Sequence, residues 1–132
     1  MKRDTGRGLA GFTLVEIMIV VAIIALLAVT VVPGSLRARK RSQATRVLED
    51  LRLIEHAVDQ YAIETSKASG FNPTFDDIKV YMKTNTLIYS TGKDLFGNDF
   101  GPFTVDSLPA IPAVTKAGLS DVVDDEFWSP YQ

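Results

Sequence analysis

Two hydrophobic patterns divide the chain. From Phe12 to Val32 the residues are almost all apolar: between Ile17 and Val32 only Thr30 is polar, and Glu16 is the one ionisable group in the whole run. After Pro33-Gly34 the pattern becomes periodic. Ala44, Val47, Leu51, Ile54, Val58 and Tyr61 recur at spacings of three and four residues, one stripe of an amphipathic helix. Leu48, Ala57 and Ala62 widen it. Arg46, Glu49, Asp50, Arg52, Glu55 and Asp59 fall between them as a solvated or subunit-facing surface. Together the patterns predict one helix over about 12–66, roughly 80 Å long at 1.5 Å per residue. Pro33 removes a backbone hydrogen bond inside it and Gly34 adds flexibility, so a kink or local unwinding is expected there.

Beyond the helix the signals are shorter. Ser66-Lys67-Ala68-Ser69-Gly70 ends it, with Gly70 as the expected C-cap and Pro73 just past it. Thr74 followed by Phe75-Asp76-Asp77 reads as an N-cap with acids in the first turn, opening a short helix to about Met82. Leu87-Ile88-Tyr89 and Phe103-Thr104-Val105 are expected as antiparallel strands, and Lys116 to Val123 as another short helix. Eleven of the twelve aromatic residues lie from Tyr61 onward, so this part is expected to build an aromatic core. The closing Phe127-Trp128-Ser129-Pro130-Tyr131 is expected to fold back into it. About 62 residues after Gly70 are too few for an independent core, so this head should pack on the stripe from Val47 to Tyr61. The expected class is α+β: a long N-terminal helix with a small head of short helices and a few antiparallel strands.

Phe12 to Val32 is 21 residues, close to the ~20 that cross a hydrocarbon layer as a helix. A secretory signal peptide has a shorter apolar core and a small-residue cleavage site, whereas Pro33-Gly34-Ser35-Leu36-Arg37 follows here. A permanent span is the better reading. Lys2, Arg3 and Arg7, with Asp4, precede it; Arg37, Arg39, Lys40 and Arg41 follow it. Counting cations alone leans slightly toward a cytoplasmic C-terminus. The second cluster suits phospholipid headgroups or acidic neighbours. An acid inside such a span costs ~2.5–3.5 kcal/mol near the centre and calls for a partner; a place at the headgroup level would lower that cost for Glu16.

The totals exclude several functions. The formal charge of −2 lacks the basic excess of a general nucleic-acid binder. There is no cysteine, hence no disulfide, thiolate nucleophile or cysteine metal site. His56 is the single histidine, in a charged stretch flanking the stripe. No Ser/His/Asp arrangement, phosphate loop or histidine metal motif appears. No enzyme is expected; the remote alternative is a membrane-anchored domain using carboxylates among Asp121–Glu126.

Gly11-Phe12-Thr13-Leu14-Val15-Glu16, after a short basic leader and before a long apolar helix with Pro33, resembles the processing site of type IV prepilins and type II secretion prepseudopilins. The resemblance implies a pilin-like fold and cleavage by a prepilin peptidase between Gly11 and Phe12, with N-methylation of the new Phe12 amine. It implies a leader of residues 1–11, a span at 12–33, an amphipathic half at 34–69 and a head at 70–132. Loss of the leader removes three cations and one anion and takes the formal charge from −2 to −4. It also implies a cytoplasmic N-terminus with the head outside the inner membrane, against the bare cation count. The Phe12 amine would pair with Glu16 of a neighbour in a helical filament, built on the assembly platform of a secretion or pilus machine. No nucleic-acid partner is expected.

Asp94-Leu95-Phe96-Gly97-Asn98-Asp99-Phe100 resembles the turn of major pseudopilins, with departures at Leu95, Phe96, Asp99 and Phe100. Physically it is a turn permitting positive φ at Gly97 and Asn98 above two rings, and it reads equally as a plain hairpin. Major pseudopilins also bind calcium in their C-terminal loops, which makes Asp121, Asp124 and Asp125, beside Glu126, candidate ligands; no other cofactor is implied. The expected function is a structural filament subunit, a major pseudopilin of a type II secretion system, with a major or minor type IV pilin for adhesion, twitching or DNA uptake as the alternative.

Overall fold

A computed structural model describes residues 11–132. The remainder of the expected leader, with Lys2, Arg3, Asp4 and Arg7, lies outside the described residues. Helix α1 runs Leu14–Thr65, followed by α2 (Phe75–Lys79), α3 (Leu87–Thr91), α4 (Ala113–Leu119) and a 3-10 turn at Glu126–Trp128. The chain divides into two units between Leu36 and Arg37.

In the first unit the helix is apolar and exposed on every side. An 18-residue window reaches a mean hydropathy of 3.0 with none of it buried, so α1 is long and apolar enough to cross a membrane. Helical structure continues through Pro33, so the backbone is not locally unwound there.

In the second unit the stripe is the core. Ala44, Val47, Leu51, Ile54, Ala57, Val58 and Tyr61 are buried as the spacing predicts, against Ile78, Met82, Ile88, Phe100, Phe103, Val105, Leu119, Trp128 and Tyr131. Among the described residues the three ion pairs lie largely at the surface, so removal of these side chains from water is the main favourable contribution, at ~1.5–3 kcal/mol for each large one. One position reads otherwise than expected: Asp50 is buried on the stripe, three residues past Val47, and not on the solvated face.

Helix α1 ends earlier than the expected glycine cap. Ser66 adopts φ 53°, and the Lys67 amide donates to the Ala62 carbonyl at 3.1 Å, so the helix closes in a Schellman turn around a serine. Thr74 stands at the N-cap of α2 as expected, its amide and its hydroxyl both donating to Asp77 Oδ2, at 2.8 and 2.7 Å. Pro112 starts α4 three residues before the expected Thr115 boundary.

The expected antiparallel strands are absent among the described residues, where the one extended pairing is an isolated bridge between Lys93 and Asp99. Leu87-Ile88-Tyr89 is helical because Thr86 caps it, its hydroxyl accepting from the Tyr89 amide at 3.2 Å. Phe103-Thr104-Val105 makes two backbone bonds to the segment beside it, Gly70 N–H to Val105 O and Val105 N–H to Phe71 O, and its third, from the Ser107 amide to Thr104 O, is a local turn. Pro102, Pro109 and Pro112 then deprive the segment of the donors a ladder needs. The head is therefore helical and irregular.

Candidate functional site

The expected processing site lies at the edge of α1. Gly11, Phe12 and Thr13 precede the first helical residue, and all three are exposed, Phe12 at 86%. A Cβ on Gly11 would meet nothing within 4 Å, so this chain itself does not require glycine there. Thr13 and Glu16 form a capping box: the Thr13 amide donates to Glu16 Oε2 at 2.9 Å, and the Glu16 amide donates to Thr13 Oγ1 at 3.2 Å. That reciprocal pair satisfies two of the free N–H groups at the helix start. It also places an acid where the helix dipole favours one. Phe12, Glu16, Ile17, Val20 and Val21 line a groove of about 420 Å³ in which the Glu16 carboxylate is the one charge. The chain thus presents a backbone outside the helix, then a ring, then a capped carboxylate on an otherwise apolar face.

The Asp94–Phe100 turn is tied to α4. Asp94 is 1% exposed. Its Oδ1 accepts from the amides of Phe96 and Asn98, both at 2.9 Å. Its Oδ2 accepts from the Thr115 hydroxyl, and the Asn98 amide group donates to that same hydroxyl oxygen at 2.8 Å. Gly97 takes φ 85° as expected. Asn98 does not share that conformation; its side chain, bridging to Thr115, is what the turn uses. Phe100 is buried beneath the turn but Phe96 stays 44% exposed, so one ring lies under it where two were expected. Thr115 is not legible as a partner, since it stands 21 residues away in sequence.

The acidic tail does not converge. Asp121 pairs with Lys40 at 2.7 Å and Asp125 with Lys116 at 3.1 Å. Asp124 accepts from the Phe127 amide at 3.0 Å. The Lys40 ammonium holds Asp121 below the usual carboxylate range. Among the described residues no three acidic or histidine side chains are grouped to hold a metal ion. The residues present therefore do not fit calcium, because each carboxylate is already turned to a different donor. What closes the tail is burial: Trp128 is 1% exposed, and the Tyr131 hydroxyl donates to Glu55 at 2.5 Å.

Pro33 and Gly34 lie within α1 in the first unit, and no side chain approaches the Gly34 Cα closely enough to resist a Cβ.

Residues 7–32 match the family described as the prokaryotic N-terminal methylation motif. The chain is 31% identical to the type II secretion system core protein G of Vibrio cholerae serotype O1, over 68% of this chain and 67% of that protein. It is 28% identical to the protein of the same name from Escherichia coli, over 68% of each. It is 42% identical to the type IV wide pilus major component PilA4 of Thermus thermophilus, over 46% of each. No solved structure matches the chain. The apolar exposed helix, the capped glutamate after Gly11-Phe12 and these likenesses, which reach well past the motif, agree: the chain belongs to the family of type IV pilins and type II secretion pseudopilins.

Proposed function

We propose that this subunit is the major pseudopilin of a type II secretion system. The observation that carries this reading is the extent of the likeness to core protein G, 68% of the chain in two species, where the methylation motif alone spans residues 7–32. In this reading a prepilin peptidase cuts between Gly11 and Phe12, in the exposed stretch before α1 where backbone can enter a protease cleft. The Phe12 amine is then methylated, and residues 12–33 hold the subunit in the inner membrane with the head beyond it. Pro33-Gly34, where the proline removes a backbone hydrogen bond, is the kink between the span and the amphipathic half. Subunits leave the membrane by packing the exposed apolar face of α1 against its copies on an assembly platform.

Glu16 sets the register. In low dielectric an amine and a carboxylate attract strongly and neither tolerates isolation, so the Phe12 amine of one subunit fits the Glu16 carboxylate of the next. Deletion of the gene tests the whole reading: loss of exoprotein secretion with surface fibres intact is the expected result. Loss of twitching, adhesion or DNA uptake with secretion intact would make the subunit a type IV pilin instead, the reading that 42% identity to PilA4 favours.

A further inference from the structure

Asp50 is a buried acid without a donor. It lies on α1 among Val47, Leu51 and Ile54, 9% exposed. No hydrogen bond or ion pair among the described residues ends on its carboxylate. Asp94, the other buried carboxylate, has three donors. The contrast is chemical: one acid is built into a turn, and the other is left facing space. That space is a groove of about 450 Å³ between α1 and the start of α3, walled by Thr45, Leu53 and Thr86 and edged by Arg46 and Glu49.

The charges around the groove do not balance. Arg46 and Glu49 sit one turn apart on α1 and offset each other. Asp94 adds a further negative charge from the turn after α3. Burial raises the Asp50 pKa to about 6 despite the Arg46 guanidinium, with Glu49 and Asp94 pushing the same way as burial. Asp50 and Asp94 are left with no further cation among the residues that line the groove.

The same helix carries a cation with no acid. Lys40 pairs with Asp121, and Arg37 and Arg41 line a groove with that aspartate. Arg39 is exposed and forms no ion pair among the described residues. It stands eleven residues before Asp50, three helical turns on nearly the same face and roughly 16 Å away. It cannot reach the groove of its own chain. A parallel copy displaced by about three turns would present it there. The sense of that displacement, lower-numbered cation toward higher-numbered acid, is the sense that brings a Phe12 amine to Glu16, but that pair needs only four residues, about 6 Å, so the copy that offers Arg39 is a different neighbour from the one that offers the amine.

We infer that the groove over Asp50 receives the Arg39 side chain of an adjacent copy in the filament. This rests on the filament reading above. A guanidinium supplies paired donors that match a carboxylate, and seating it would relieve a buried acid that stays uncompensated in the lone subunit. Asp50 is then the second acid, after Glu16, whose partner is supplied by assembly.

The absence of cysteine makes a direct test available. The full chain carrying Arg39→Cys and Asp50→Cys is expressed with its peptidase and assembly machinery, and sheared filaments are oxidised. Dimers and a ladder on a non-reducing gel are expected from the double variant and from neither single one. Within one chain the two positions are too far apart to join. A normal filament yield with no ladder would overturn the pairing and leave the filament reading intact, whereas a wild-type chain that makes no filament would remove both. As a second measurement, Arg39→Ala, at an exposed position, should lower filament yield about ten-fold, with Arg39→Lys recovering part of it. An unchanged yield from Arg39→Ala also overturns the inference.

Discussion

The Thr13 amide donates to the Glu16 carboxylate at 2.9 Å while the Glu16 amide donates to the Thr13 hydroxyl at 3.2 Å. The one carboxylate of the apolar run is therefore satisfied inside its own subunit before any neighbour arrives. In the proposed filament, pairing with a Phe12 amine would have to displace or share this existing cap, which limits the gain. Capping and charge can be separated experimentally. Glutamine serves at the third position of a capping box as glutamate does, so Glu16→Gln keeps the cap and loses the charge, while Glu16→Leu loses both. Both variants should insert and be cut, and both should lose filament yield by about ten-fold or more. Wild-type yield from Glu16→Gln would show that the cap, and not the charge, is what assembly uses.

Gly11 is exposed and unopposed within its own chain, so under the proposed processing any demand for glycine there comes from the peptidase. Gly11→Ala should be processed slowly or normally, and Gly11→Leu should retain the leader. Intact-mass measurement of the membrane-extracted chain distinguishes them; a fully cut Gly11→Leu chain would remove this position from the recognition site.

Asp94 depends on a hydroxyl 21 residues away. Thr115→Val keeps the shape and removes the donor, leaving a buried carboxylate oxygen short of a partner. The expected loss is about 1–3 kcal/mol, a fall in Tm on the order of 10 °C for a unit of this size. Thermal unfolding of the full chain in detergent reads it, with Thr115→Ser close to wild type.

The boundary between what is legible in the sequence and what is not follows the range of the interactions. The stripe from Ala44 to Tyr61, the apolar span and the Thr74 cap are set by residues within one or two turns, and all appear where the spacing places them. Leu87-Ile88-Tyr89 reads as a strand because three β-compatible side chains outweigh, in a local reading, the threonine cap that commits them to a helix. Asp50 reads as part of the polar face because its charge outweighs its position three residues from Val47. Thr115 with Asp94 and Tyr131 with Glu55 join positions 21 and 76 residues apart, and no local pattern announces such pairs. The capping box at the start of α1 is present in the sequence as Thr13-x-x-Glu16, a local pattern of the same kind as the Thr74 cap.

Asp50 should make the lone subunit less stable as pH rises. Its pKa is raised from 3.8 to about 6 by burial, then by Glu49 and Asp94, against the pull of Arg46. The folded state therefore binds a proton more tightly than the unfolded chain, so stability is full below about pH 4 and declines as pH climbs through 6. Asp50→Asn should abolish that decline and raise stability at pH 7.5 by on the order of 2 kcal/mol. Denaturant titrations of the full chain in detergent at pH 4.5 and 7.5 measure it; equal slopes with pH in both proteins would mean that the groove already supplies a further cation.

Tyr131 and Trp128 close the C-terminal segment, and they do so without bringing Asp121, Asp124 and Asp125 together. Lys40 and Lys116 sit on two of those acids at 2.7 and 3.1 Å, so an incoming divalent ion would have to displace ammonium groups and draw in carboxylates that point to separate partners. Such exposed pairs contribute only ~0–1 kcal/mol each, which leaves the buried rings and the Tyr131–Glu55 bond as the clasp. Burial and Glu55 hold the Tyr131 hydroxyl protonated above the usual tyrosine range. Its contribution is thus complete at neutral pH and fades only as pH rises past 10.0. Calcium or a chelator should move the Tm of the full chain by less than ~1 °C, while Tyr131→Phe should cost about 1–2 kcal/mol, or several degrees. A large upward shift with calcium in the wild-type chain would mean that the tail rearranges around the ion and that the lysine pairs are only what the acids adopt without it.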